Sequence, residues 1–229
     1  MDQIQEFKTQ AAKEAVTFLK SGMIVGLGTG STATIAIKII SQLLQAEALD
    51  DILGIPSSVK TARLAQELGI PLTSLEEHPE IDVTIDGADE VDPELNLIKG
   101  GGGALLKEKI LAQASKEVII VVDESKLSPK LGTKWALPVE VLPFAWKTEA
   151  FFLESLGAAA AIRKLSDETL YKTDQGNLII DANFGEIQQP DALAQKLQER
   201  AGIIEHGLFI GLASMVISSG KSGIQKLTK

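Results

Sequence analysis

Residues 23–45 read MIVGLGTGSTATIAIKIISQLLQ. A short apolar run ends in a glycine-rich turn, and a segment with the apolar spacing of a helix follows at once. A strand delivered straight into a helix is the unit of a parallel sheet, because a parallel partner is reached only through a crossover. The chain repeats that unit. A helix at about 3–20 precedes it. A strand then leads into GIPSS (54–58) and a helix KTARLAQELG (60–69) that closes on glycine, with a short strand expected at IPLT (70–73). EIDVTIDGADE (80–90) alternates apolar Ile81, Val83 and Ile85. A helix is expected through ALLKEKILAQAS (104–115), and EVIIVVDES (117–125) reads as a buried β-branched strand. The fold class is α/β: a Rossmann-like, mostly parallel sheet with helices on both faces.

The rhythm changes after LGTKWALP. Strand PVEVLP (138–143), helix WKTEAFFLESLG (146–157), strands AAIRKL (160–165) and GNLIIDANF (176–184), helix PDALAQKLQERAG (190–202) and strand IIEHGLF (203–209) follow in turn. The order βαββαβ is the ferredoxin-like pattern. A smaller α+β domain is therefore expected at 132–206, inserted near the C-terminus of an α/β domain made of 1–131 and 207–229. LFIGLASMVISSG (208–220) returns to the first sheet.

The composition bounds the function. The 229 residues carry a net charge of −9, with 45% hydrophobic and 23% charged residues, which suits a globular chain with a sizeable core. The acidic balance argues against a nucleic-acid partner, which needs a basic surface. The chain has no cysteine, so disulfides, thiolate metal sites and thiol catalysis are excluded. The first helix carries acids early and does not read as a signal peptide. No apolar run reaches the ~18 residues of a membrane span. A cytoplasmic protein is expected, with no membrane partner.

Ligands of open α/β sheets bind beyond the carboxyl ends of the strands, so the segments that follow strands carry the chemistry. GLGTGST (26–32) lies between strand and helix, with hydroxyls at Thr29, Ser31 and Thr32 around Gly30. It lacks the spacing of a dinucleotide fingerprint and the lysine of a P-loop. It is either a tight turn with a helix cap or a seat for a small phosphate at the helix N-terminus; the hydroxyls favour the phosphate. DGADEVD (86–92) offers Asp86, Asp89, Glu90 and Asp92. They are metal ligands, binders of sugar hydroxyls, or a solvated turn. Asp86 ends its strand and is the first choice for function. Only two histidines, His78 and His206, are present, so a mixed histidine–carboxylate metal site is not expected.

KGGGGALLKEK (99–109) sets four glycines before a helix. Such a run is destabilising unless bare backbone is needed. It is a flexible connector or a nest of N–H groups for an oxyanion, with Lys99 adding a full charge; the strong helix former that follows favours the nest. Glu108 has Ala104, Leu105, Leu111 and Ala112 as its i±3 and i±4 neighbours. All are apolar, which puts Glu108 on a packing face, as a general base whose pKa burial would raise against the pull of Lys99 and the helix N-terminus. The alternative is a rim glutamate beside Lys107 and Lys109. The set adds up to proton abstraction next to a carbonyl on a phosphorylated sugar.

GLGTGST, DGADE followed by KGGGGALLKEK, VDESK and LPVEVLP, in this order over nearly the whole chain, resemble the type A ribose-5-phosphate isomerases. The resemblance implies interconversion of D-ribose 5-phosphate and D-ribulose 5-phosphate without metal or other cofactor, in the pentose phosphate pathway and the Calvin cycle. It implies that Glu108 is the proton acceptor, with Asp86, Asp89 and Lys99 as further catalytic groups and Asp86 helping to open the furanose ring. Lys8, Thr29, Gly30, Ser31, Thr32, Gly87, Ala88, Gly100, Gly101, Gly102 and Lys126 match its substrate contacts, with the phosphate near Lys8, Ser31 and Thr32. It also implies a homodimer or a homotetramer. Ser214 stands where an acid is expected. The rivals are a CoA-transferase or hexosamine-phosphate isomerase on a related sheet, and a non-catalytic sugar-phosphate sensor. No adenine-binding signature and no output module favours them.

Overall fold

The computed structural model describes residues 3–229; Met1 and Asp2, with which the first expected domain begins, lie outside the described residues. In chain order the elements are α1 (Gln3–Val16), β1 (Ile24–Leu27), α2 (Ser31–Gln45), β2 (Leu53–Pro56), α3 (Val59–Glu67), β3 (Ile81–Asp86), β4 (Glu90–Val91), β5 (Leu97–Ile98), α4 (Leu105–Ala114) and β6 (Ser115–Asp123). There follow β7 (Leu137–Val141), α5 (Trp146–Ser155), β8 (Ala159–Ile162), β9 (Leu178–Asn183), α6 (Pro190–Gln198), β10 (Ile203–His206), β11 (Leu208–Phe209), β12 (Met215–Gly220) and β13 (Gly223–Thr228). The strand–helix alternation of the first half stands. IPLT is only an isolated bridge from Leu72 to Gly54, and α1 ends at Val16, short of residue 20.

The chain divides into two compact units. The first runs up to Ala88 and adds Lys107–Leu127 and Gly211–Lys229. Its six-stranded sheet has the order β13-β12-β6-β3-β1-β2. All pairs are parallel except β12–β13. The parallel pairing of β12 with β6 is the expected return to the first sheet; β13 was not foreseen. Ala11, Ala12 and Ala15 of α1 and Ile37 and Ile40 of α2 pack with Val25, Leu27, Val83, Ile85, Ile119, Val121 and Ile217 in one core. Alanines on α1 let the helix lie close to the strands. A smaller cluster joins Leu111 of α4 to Ile55 and Ile81. Ser214, just before β12, donates its N–H to the Val118 carbonyl (2.9 Å) and accepts the Val118 N–H on Oγ (3.0 Å). A serine hydroxyl thus satisfies the strand there.

The second unit comprises Asp89–Leu106 and Ser128–Ile210. Its four-stranded sheet is antiparallel with the order β10-β7-β9-β8, the ferredoxin-like arrangement. The unit takes in more than 132–206. The reason is pairing: β4 and β5 form a three-stranded sheet with β11, and Ile98 sits in one core with Leu137, Val139, Leu153, Ile180 and Leu208.

Glu140 of β7 is fully buried in this unit. One carboxylate oxygen accepts from Thr173 Oγ1 (2.8 Å) and Asn177 Nδ2 (2.9 Å). Burial pushes its pKa up, the two hydrogen bonds pull it down, and the charges of Glu205 and Asp174 add to the rise. A raised folded-state pKa means a contribution to stability that is complete below the ordinary carboxylate pKa of ~4.3 and lost as pH rises through the raised value. Glu140→Gln keeps the acceptor and removes the charge. Its melting temperature relative to wild type should therefore be higher at pH 8 than at pH 4. A difference independent of pH would remove Glu140 from the pH dependence.

Candidate active site

The first unit carries the turn after β1 and a buried carboxylate held against it. The register Leu27↔Ile85 between β1 and β3 brings Gly28 level with Asp86. Asp86 is 2% exposed. Its Oδ1 accepts N–H groups from Thr29 (3.0 Å) and from Gly87 (2.7 Å). A Cβ on Gly28 would fall 2.2 Å from that oxygen, so only glycine lets the carboxylate lie against the turn. Gly30 has φ +123 and opens α2 without a side-chain cap, and the first turn of α2 holds no acid. Its leading N–H groups therefore carry positive partial charge, and no acid of α2's own first turn competes for them. Lys8 of α1 donates from Nζ to Ser31 Oγ (3.0 Å), which joins two of the residues expected at the phosphate. Thr32 is buried at 7% exposure.

Thr29 is used differently. Its hydroxyl meets Ser57 Oγ and Ser58 Oγ at 2.8 Å and Thr61 Oγ1 at 3.0 Å. Thr61 donates to the Gly28 carbonyl (3.0 Å), and Ser58 caps α3 by accepting the Thr61 N–H (3.0 Å). The hydroxyls after β2 thus hold the turn after β1. The serine pair after a strand was visible in the sequence; its tie to Thr29 was not.

Glu108 lies in the first turn of α4 and is 5% exposed, with Leu111 and Ala112 of its own face at 3% and 6%. The packing-face reading of Glu108 holds; it is no rim residue. Lys126 ends a short 3₁₀ turn after β6. Asp123 starts that turn, accepting the Ser125 N–H (3.1 Å).

The second unit carries the glycine run. Lys99 is 3% exposed. Its N–H donates to the Gly207 carbonyl (2.9 Å), and its ammonium stands 5.5 Å from the centre of the Phe209 ring. Gly100 and Gly103 have φ of +102 and +78. The Gly101 N–H donates to Asp89 Oδ2 (2.7 Å), and the Gly103 N–H closes a turn on the Gly100 carbonyl (2.9 Å). Two of the nest's donors are thus engaged, one by Asp89 and one within the run, which narrows the expected oxyanion nest. A Cβ on Gly101 would sit 2.7 Å from Asp89 Oδ1. Residues absent from the sequence reading complete the loop. Arg163 Nη1 donates to the carbonyls of Gly100 (2.9 Å) and Gly101 (3.1 Å), and the Tyr171 hydroxyl donates to that of Gly102 (3.3 Å). Nothing in AAIRKL or in the chain's single tyrosine signalled this role.

The other acids of DGADEVD are structural. Glu90 is fully buried and accepts the N–H groups of Gly132 (2.9 Å), Lys134 (3.1 Å) and Trp135 (3.2 Å). Asp92 shapes the β4–β5 turn by accepting from the N–H of Glu94 (2.9 Å) and of Asn96 (2.8 Å). Among the described residues no group of three or more His, Asp or Glu is placed to hold a metal ion, and no helix is long and apolar enough to cross a membrane.

Residues 53–223 match the family model of ribose 5-phosphate isomerase A, also called phosphoriboisomerase A. The chain is 57% identical over 220 residues to the ribose-5-phosphate isomerase A of Desulfatibacillum aliphaticivorans, covering 96% of each chain. It is 54% identical to that of Chloroflexus aurantiacus, covering 96% of this chain and 92% of the relative. A solved D-ribose-5-phosphate isomerase in complex with phospho-erythronic acid superposes with a TM-score of 0.97 at 42% identity over 99% of each chain. The Plasmodium falciparum ribose 5-phosphate isomerase does so with 0.95 at 39% identity, covering 98% of this chain and 99% of its own.

Proposed function

The chain belongs to the ribose 5-phosphate isomerase A family, a family of isomerases, and on that premise we propose that it interconverts D-ribose 5-phosphate and D-ribulose 5-phosphate through an enediolate, without a metal. Glu108 takes the proton from C2 of the open-chain aldose. The C2–H electrons become the C1=C2 bond, and the carbonyl oxygen at C1 becomes the enediolate oxygen. A proton returns to C1, and the C2 hydroxyl proton passes to the C1 oxygen, which completes the ketose. Lys99 and the N–H of Gly102 hold the developing negative charge. Asp86 assists ring opening, and Asp89 fixes the glycine run and hydroxyls of the sugar. Lys8, Gly30, Ser31 and Thr32 hold the phosphate, with Lys126 as a further cation. The backbone at Gly87, Ala88, Gly100 and Gly101 lines the path of the sugar, and Thr29 acts through its N–H on Asp86.

The observation that carries this reading is Glu108: a carboxylate 5% exposed, in the first helical turn after a glycine run. A base alone supplies about 10²–10⁴-fold, only a few kcal/mol of the ~8–23 kcal/mol that enzymes need. Charged and N–H donors at the oxyanion are therefore part of the same proposal. The enzyme works in the cytoplasm as a homodimer or homotetramer, in the pentose phosphate pathway or the Calvin cycle.

The test is formation of ribulose 5-phosphate from ribose 5-phosphate with EDTA present throughout. Rapid turnover is expected. Activity that returns only with a divalent ion would recast Asp86 and Asp89 as metal ligands. Absence of turnover under both conditions would favour a CoA-transferase or a sugar-phosphate sensor.

A further inference from the structure

We propose that Arg163 is a positioning residue, which aims the catalytic face of the glycine run by holding its carbonyls from behind. A trans peptide is planar, so its C=O and the next residue's N–H point in opposite directions. The guanidinium Nη1 holds the Gly100 carbonyl at 2.9 Å. The N–H on the other end of that same peptide belongs to Gly101, and it donates to Asp89 Oδ2 at 2.7 Å. The same Nη1 holds the Gly101 carbonyl at 3.1 Å, which turns the Gly102 N–H away from Arg163. Two consecutive peptide planes are fixed by one nitrogen. Glycine has no side chain to resist rotation of these planes, so the fixing must come from outside the run.

Arg163 is itself fixed. Its Nε donates to Asp181 Oδ2 at 2.9 Å, and its Nη2 pairs with Asp181 Oδ1 in a two-pronged contact. Its guanidinium lies 5.8 Å from the centre of the Tyr171 ring, and that tyrosine bonds the Gly102 carbonyl. Arg163 directly follows β8 and Asp181 lies on β9 of the antiparallel sheet, so this sheet supplies the backing of the loop. A charged donor on a carbonyl also polarises the peptide and strengthens the N–H at its far end. The Gly101 N–H, which holds Asp89, and the Gly102 N–H are thereby set in direction and in donor strength by a residue that touches neither substrate nor reacting atom.

This inference rests on the isomerase reading for its kinetic arm and stands apart from it in a second arm. In the kinetic arm, Arg163→Ala is expected to lower kcat by about 10²-fold, the scale of a misplacement near 1 Å, with KM changed far less. Methylguanidinium added to the variant should restore part of kcat, as a free fork refills the gap. Arg163→Lys keeps the charge without the fork and should also lose kcat, which covers the case where Arg163→Ala does not fold. A folded variant with wild-type kcat and only a lower melting temperature would make Arg163 a plain structural ion pair and overturn the proposal. In the second arm, amide hydrogen exchange at Gly101 is measured without substrate. Faster exchange in the variant is expected; unchanged exchange overturns the proposal. If wild type does not isomerise ribose 5-phosphate, the isomerase reading fails, and the exchange measurement still decides the role of Arg163.

Discussion

Glu108→Gln is expected to lower kcat by about 10²–10⁴-fold, the whole contribution of a general base, while substrate-like ligands still bind. The argument is steric as much as chemical. Glu108 is 5% exposed, and Leu111 and Ala112 pack on its side of the helix. Glutamine has nearly the same shape, so the helix has no reason to move. The variant loses only the ability to accept and return a proton. Two measurements separate the outcomes. Steady-state kinetics on ribose 5-phosphate reads kcat, and titration with phospho-erythronic acid reads binding. Wild-type exchange of the substrate C2 proton with deuterated water should also vanish in the variant. Retained kcat would take Glu108 out of the mechanism, and lost binding together with lost kcat would make it a ligand-holding residue instead.

Gly28→Ala is expected to lower kcat/KM by about 10²-fold, with a stability cost of about 1–3 kcal/mol typical of overpacking. The added Cβ would meet Asp86 Oδ1 at 2.2 Å and the Asp86 Cα at 2.6 Å. A flexible tip gives way at little cost, but the second contact is backbone. Either β1 and β3 part or Asp86 leaves the two N–H groups that hold it. Gly87→Ala is the internal comparison for stability, since its Cβ would meet only the Val121 carbonyl at 3.8 Å. Thermal melts of the two variants beside the kinetics of Gly28→Ala check the prediction. Wild-type kcat/KM in Gly28→Ala would show that Asp86 tolerates displacement and has no exacting role.

The alternation of strands and helices was legible because β1 is an apolar run, β3 alternates apolar and polar residues, β6 contains an apolar run, and helical patterns follow β1 and β2. The burial of Glu108 was legible for a related reason: its four helical neighbours are apolar, and apolar faces pack. What escaped the sequence has no local signature. β4 and β5 are two residues each, too short for any period. The extent of the second unit follows from their pairing with β11, and so from contacts across more than a hundred residues. Glu90 looks like its acidic neighbours; its role depends on three N–H groups more than forty positions away. Arg163 and Tyr171 reach the glycine run from 62 and 69 positions away. In sequence they sit in an unremarkable strand edge and polar turn. The glycine run was legible as bare backbone, but which of its N–H groups are engaged follows from Asp89 and the internal turn.

The pairing of α1 with β12 and β13 bears on how the protein is made. Ser219 donates to Gln10 across 209 positions (2.7 Å), and Lys226 reaches Glu14 at 2.6 Å and stands over Phe18. A ribosome releases α1 long before it makes β12. Through most of translation the small-residue face of α1 has no strand β12 to lie on, and β6 has one open edge. Such wide sequence separation slows folding and leaves unpaired strand edges exposed in the meantime. The nascent chain is thus in greatest need of chaperone shelter between the emergence of β6 and that of β12, about a hundred residues of synthesis during which the ferredoxin-like sheet is being completed.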